Sequence, residues 1–176
     1  MLRNQQTFFC EKDKCAFQEE PFQKAYAWMR TQMIRKLGVP EKSDAYPIWL
    51  YYLWDKENNY TPDEKSDFGY LITLEIPEER VLLSDFDLWH DVLNNMFCCV
   101  ERNEEEYDKN REYLDSLSHE ERQKKIEASW QNIFDITPFH NDFISIGNYI
   151  QGCTWYIRPE DIISIKPIQK KEQQHK

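Results

Sequence analysis

Glycine is scarce: the 176 residues hold only Gly38, Gly69, Gly147 and Gly152, none of them clustered. A phosphate-cradling loop needs grouped glycines so that backbone N–H groups can close on the phosphate, so Walker-type and Rossmann nucleotide binding are set aside. Long apolar runs are missing too. The longest, Ile48 to Trp54 (IWLYYLW), is far shorter than the roughly 20 residues a membrane helix requires, so no transmembrane segment is expected. The opening MLRNQQTFF lacks the apolar core of a secretory signal, and the five cysteines are an odd number with Cys98 and Cys99 adjacent. A reduced, cytoplasmic protein is the expectation. Basic residues are in deficit, 22 against 32 acidic, giving a formal net charge of −10. So negative a surface repels phosphate backbones and disfavours non-specific nucleic-acid binding.

Metal ligands are equally sparse. Cys10 and Cys15 have four residues between them, a spacing seen in some zinc sites, but the other half of such a site is missing. Cys98 and Cys99 would point in different directions, Cys153 is lone, and His119, His140 and His175 lie in unrelated contexts. No metal site is expected, and the sequence requires no cofactor. Sequence pairs no base with a cysteine nucleophile, so catalytic residues stay unassigned and enzymatic activity stays open.

Large side chains are plentiful. With 40% hydrophobic and 15% aromatic residues, the chain has ample material for one core, and a domain of this length buries about 70% of its unfolded surface. Pro21 opens a helix over Phe22–Leu37 whose apolar face is Phe22, Ala25, Tyr26, Met29, Met33 and Leu37, stopped by Gly38 and Pro40. Ile48–Trp54 reads as a strand buried on both faces, followed by a polar loop from Asp55 to Lys65. Tyr70–Ile76 and Val81–Leu83 read as two strands joined by the turn Pro77-Glu78-Glu79-Arg80. Near the C-terminus come strands Tyr149–Ile157 and Ile162–Ile168, then a disordered polar tail over 169–176. These elements predict a single α+β domain over 1–168, with a mixed, mainly antiparallel sheet flanked by helices.

After Leu83 the hydrophobic period lengthens. Leu88, Val92 and Met96, with Trp89, Leu93 and Phe97, fall on one side of a helix that Ser84 would cap. Its other side carries Asp87, His90, Asp91 and Asn94, which any solvated helix face could show and a ligand-binding corner would need. If Asp85 and His90 only decorate that face, alanine at either should cost no more than about 0.5 kcal/mol. A large loss from both would mark a buried structural pair. The aromatic run Tyr46–Trp54 would either pack in the core or line a pocket, and His140, in the loop PFHND, is a lesser candidate.

From Glu101 to Arg122 nine acidic residues face four basic ones, a net of −5 and half the chain's total. Ser118-His119-Glu120-Glu121 has capping-box spacing, and Ile126, Trp130, Ile133 and Phe134 follow at helical intervals, so a charged helical hairpin with a partly mobile tip is predicted.

Four blocks carry a family resemblance: KAYAWMRTQM (24–33), YPIWLYYLWD (46–55), LITLEIPEERVLLSDFDLWHDVLNN (71–95) and IQGCTWYIRPEDIISIKPI (150–168). Together they resemble the bacterial domain-of-unknown-function family 3841, which implies no established activity. Its members begin with an extra short strand ahead of the region matching FFCEKDKC, and this chain is expected to start at or after it. A fainter similarity is to ADP-ribosyltransferase-like folds, in which a late strand carries a catalytic Glu. Gln151 stands in the comparable place, so that similarity implies a degenerate site or a binding role.

Two functions from different classes follow. One is a ligand-binding or transferase-like domain for a nucleotide- or dinucleotide-type molecule, with its pocket where the Ser84–Asn95 corner meets the Gln151 strand. Its contacts would be Trp49, Ser84, Asp85, Trp89, His90, Asn94 and Gln151. The other is a non-enzymatic module that engages a basic partner through 101–122.

Overall fold

The computed structural model describes residues 6–12, 20–54, 69–142 and 144–168. The loop expected over 55–65, the tail at 169–176 and Cys15 lie outside them. Helix α1 (Glu20–Leu37) ends where Gly38, at φ +88°, returns its N–H to Ile34 O at 3.1 Å. A left-handed residue there caps the last carbonyls, and glycine adopts it freely. The buried face is Ala25, Tyr26, Met29 and Met33, packed with Leu88, Trp89 and Val92 and with Trp130 and Ile133 into one core.

The strands divide among several short antiparallel sheets. The central one has β3 (Ile48–Trp54), β8 (Tyr149–Thr154) and β5 (Leu82–Asp85) in that order. Gly152 on β8 faces Leu83 and Leu50 across its neighbours, and a Cβ there would come within 2.7 Å of Val81 Cγ1, so any larger residue would have to displace Val81. A second sheet sets β1 (Phe8–Glu11) between β2 (Ala45–Tyr46) and β9 (Tyr156–Ile157). β4 (Tyr70–Leu74) pairs with β10 (Ile162–Pro167), and β6 (Phe139–His140) with β7 (Ser145–Ile146). Short helical segments and antiparallel sheets around one core make the fold α+β.

Several expectations change. β3 is not buried on both faces: among the described residues it pairs only with β8, and Tyr51 and Tyr52 are half-exposed. An edge position leaves one flank to solvent. β4 and β5 are joined by the expected turn, the 3-10 segment Glu78–Arg80, which sends them to different sheets. The strand expected over Tyr149–Ile157 breaks at Trp155, whose buried indole donates from Nε1 to Gly38 O at 3.1 Å.

One clasp ties the Glu78–Arg80 turn to a second 3-10 turn, Pro159–Asp161. Arg80 donates to both carboxylate oxygens of Asp161, at 2.9 and 2.7 Å, and its guanidinium lies 4.4 Å from the Tyr156 ring centre. Asp161 also accepts from Arg158 N at 2.7 Å and is held below its ordinary pKa by Arg80. The predicted hairpin is present as α3 (Glu104–Ser116) and α4 (His119–Ser129), and the Ser118–Glu121 capping box forms. α4 then tightens into the 3-10 turn Trp130–Phe134, which carries Trp130 and Ile133 into the core.

Candidate functional site

The residues singled out by the sequence separate into a buried tie and an exposed helix face. Helix α2 (Phe86–Leu93) is capped by Asp85, not Ser84. The register explains it: Ser84 still pairs with Gln151 as a strand residue, and the next residue is the first whose side chain reaches the helix amides. Asp85 accepts from Leu88 N at 3.0 Å and from Gly147 N at 2.8 Å, so one fully buried carboxylate caps the helix and holds the turn after β7. Beside it Gln151 donates to Ser84 Oγ at 3.4 Å, both side chains buried. Trp49 and Trp89 pack at 4.7 Å between ring centres, and Tyr26 meets each edge-on at 5.6 Å.

His90 and Asn94 point elsewhere. His90 lies exposed, its Nδ1 donating to Phe86 O at 2.9 Å, and Asn94 donates to His90 O at 2.7 Å. The helix stops after Leu93 because Asn95 turns left-handed (φ 53°), with Asn95 N bonding to Val92 O and Met96 N to Asp91 O. That is a Schellman stop built on asparagine, and it leaves Met96 exposed instead of on the core face. The structure therefore brings Ser84 and Gln151 together, and Trp49 with Trp89, gives Asp85 to Leu88 and Gly147, and sets His90 and Asn94 on the exposed helix face.

The surroundings are acidic. Burial raises Asp91 to about 6, with Asp85 and Asp87 adding and His90 opposing. Burial raises the Cys98 and Cys153 thiols too, and Cys99 reaches about 11, so none of the three is a thiolate near neutral pH. Among the described residues no three His, Cys, Asp or Glu side chains stand where they could share a metal ion. No described helix is long and apolar enough to cross a membrane.

A concavity borders the turn that Asp85 holds, through Ile146. It encloses about 520 Å³, with Val100, Pro138, Phe139 and Ile146 as apolar walls and Arg102, Asn132, Asp135 and Thr137 as polar ones. Asp135 accepts from Thr137 N at 3.2 Å, an Asx turn that opens the loop, and Thr137's hydrogen bonds hold its carboxyl below the ordinary range, with a smaller contribution from Arg102. Asn132 donates to Cys98 O at 3.0 Å, and the Arg102 guanidinium lies 5.0 Å from the Phe139 ring centre. His140 is exposed beside this depression and does not line it. Sequence reasoning missed these residues; the one local signal was Asp135-Ile136-Thr137-Pro138, a turn signature.

No curated protein and no solved structure matches the chain, so the similarity to ADP-ribosyltransferase-like folds gains no support. Residues 1–163 match the family described as "Domain of unknown function (DUF3841)". The blocks that resemble it contain Ser84, Asp85 and Gln151, and the match spans the concavity as well. The chain belongs to the DUF3841 family.

Proposed function

We propose that this chain is a small-ligand-binding domain whose site is the depression between Arg102 and Asp135. One observation carries the reading: a concavity of about 520 Å³ with apolar walls and a few converging polar groups, the usual constitution of a small-molecule site. The Ser84–Asp85–Gln151 corner then serves as scaffold, because Asp85 fixes Gly147 next to the wall residue Ile146. Of a nucleotide- or dinucleotide-type ligand only the phosphate has a partner here, Arg102, and Asp135 in the same lining opposes it. Transferase chemistry of the ADP-ribosyl kind finds no carboxylate at Gln151, whose amide is buried against Ser84. The odd cysteine count supports a reduced, cytoplasmic setting. The test is thermal shift with nucleotides, dinucleotides, small carboxylates and amino acids, since a ligand at 100-fold its Kd adds about 2.7 kcal/mol. A shift that Arg102→Gln removes supports the reading, and none from any compound sinks it.

A second reading is favoured by α3. That 13-residue helix buries no side chain, so its sequence is free of core constraints, and its first turn is Glu104, Glu105 and Glu106. As an acidic arm it would engage a basic protein without chemistry of its own.

A further inference from the structure

We infer that the depression takes a small zwitterion, an α-amino acid with an apolar side chain, its carboxylate on Arg102 and its ammonium on Asp135. This rests on the depression being the site and goes beyond it by naming the ligand class. Two opposite charges line one cavity without meeting. Among the described residues no carboxylate lies within 4.0 Å of the Arg102 guanidinium, and no cation lies within 4.0 Å of Asp135. Both line the same depression, so the gap is wider than an ion pair and no wider than that cavity, which suits a molecule carrying both charges.

Each charge is held back by a partner of its own. Arg102 lies over the Phe139 ring, which attracts the cation while leaving its edge N–H groups for a carboxylate. Asp135 is pinned by Thr137, whose amide donates to Oδ1, and a carboxylate with about four acceptor positions keeps capacity for a further donor. Asn132 gives one amide N–H to Cys98 O, and its carbonyl oxygen is an acceptor it can offer the cavity. Two acceptors and one cation line the same depression: the pattern of an ammonium and a carboxylate. Between them Val100, Pro138 and Ile146 offer an apolar wall, which selects an apolar side chain. A doubly charged phosphate would meet Asp135 as well as Arg102, and the like charge opposes it.

Titration calorimetry of the intact chain tests this with L-leucine and L-phenylalanine, with 3-phenylpropanoate and phenethylamine as analogues lacking one charge, and with AMP. Phenylalanine or leucine should bind at least tenfold more tightly than either analogue. In Arg102→Gln phenethylamine should equal phenylalanine, and in Asp135→Asn phenylpropanoate should. Both residues are exposed, so both variants should fold as the parent does. Phenylpropanoate or phenethylamine binding as tightly as phenylalanine to the parent overturns the zwitterion. AMP binding that Arg102→Gln abolishes overturns it too, while leaving the depression as the site. No binding by any of the five compounds overturns both.

Discussion

Asp85 shows how one side chain decides whether a polar corner is structural. Its two carboxylate oxygens hold Leu88 N and Gly147 N in a site closed to water. Hydrogen bonds to a buried charge are worth about 1.5–3 kcal/mol, and truncation strands the amides, so Asp85→Ala should lose about 3 kcal/mol in urea unfolding. His90→Ala should stay within about 0.5 kcal/mol, since the ring is exposed. Equal losses would refute the division between the two. Asp91 supplies a pH dependence of opposite habit to a salt-bridged carboxylate. Its folded value of about 6 lies above its ordinary 3.8, so its contribution to stability is full below about pH 4 and is lost as pH rises through 6. The group is partly exposed and therefore partly screened. Asp91→Asn should gain about 1 kcal/mol at pH 7 and nothing at pH 4, read from denaturant midpoints at the two values.

Among the elements, the turn after β7 links the two halves of the argument. Gly147 sits at φ +76°, and a Cβ there would lie 2.7 Å from Ile136 O and 3.1 Å from Pro138 Cα, both backbone atoms that cannot swing aside. Gly38 has a similar φ of +88° with open space around it. Gly38→Ala should therefore cost about 1 kcal/mol of backbone strain alone. Gly147→Ala should cost more, about 2 kcal/mol or above, and should weaken any ligand response by displacing the Pro138 wall. Similar thermal midpoints for the two variants would show that the Ile136 contact yields. α2 teaches a related lesson. Apolar spacing ran on to Phe97, but the helix ends at Leu93 because Asn95, after the cap residue Asn94, takes the left-handed stop.

At the scale of the molecule, the acidic arm is separable from the core. α3 holds six acidic and two basic residues, so replacing 104–116 with a short Gly-Ser link takes the formal charge from −10 to −6. With no buried side chain lost, the melting temperature should move by only about 3 °C, and a large drop would show the helix to be structural. Binding of an oligolysine peptide, followed by anisotropy at low and high salt, should fall with the excision if the arm engages basic partners.

Local chemistry determined a good deal on its own. The α1 face, the Gly38 stop, the Ser118 capping box and the α+β class were legible because they depend on residues three or four apart in sequence. Pairing partners were not. β4 and β10 are separated by most of the second half of the chain, and nothing within Tyr70–Leu74 says that Ile72 will lie opposite Ile165. For the same reason the sequence gathered Asp85, His90 and Gln151 as one corner, having no means to see that Gly147 would take Asp85's second oxygen. The depression stayed hidden because its walls come from three separate segments, Val100–Arg102, Asn132–Phe139 and Ile146, each ordinary by itself. Only the tertiary structure sets Arg102 and Asp135 across one space, because the distance between charges is fixed by packing.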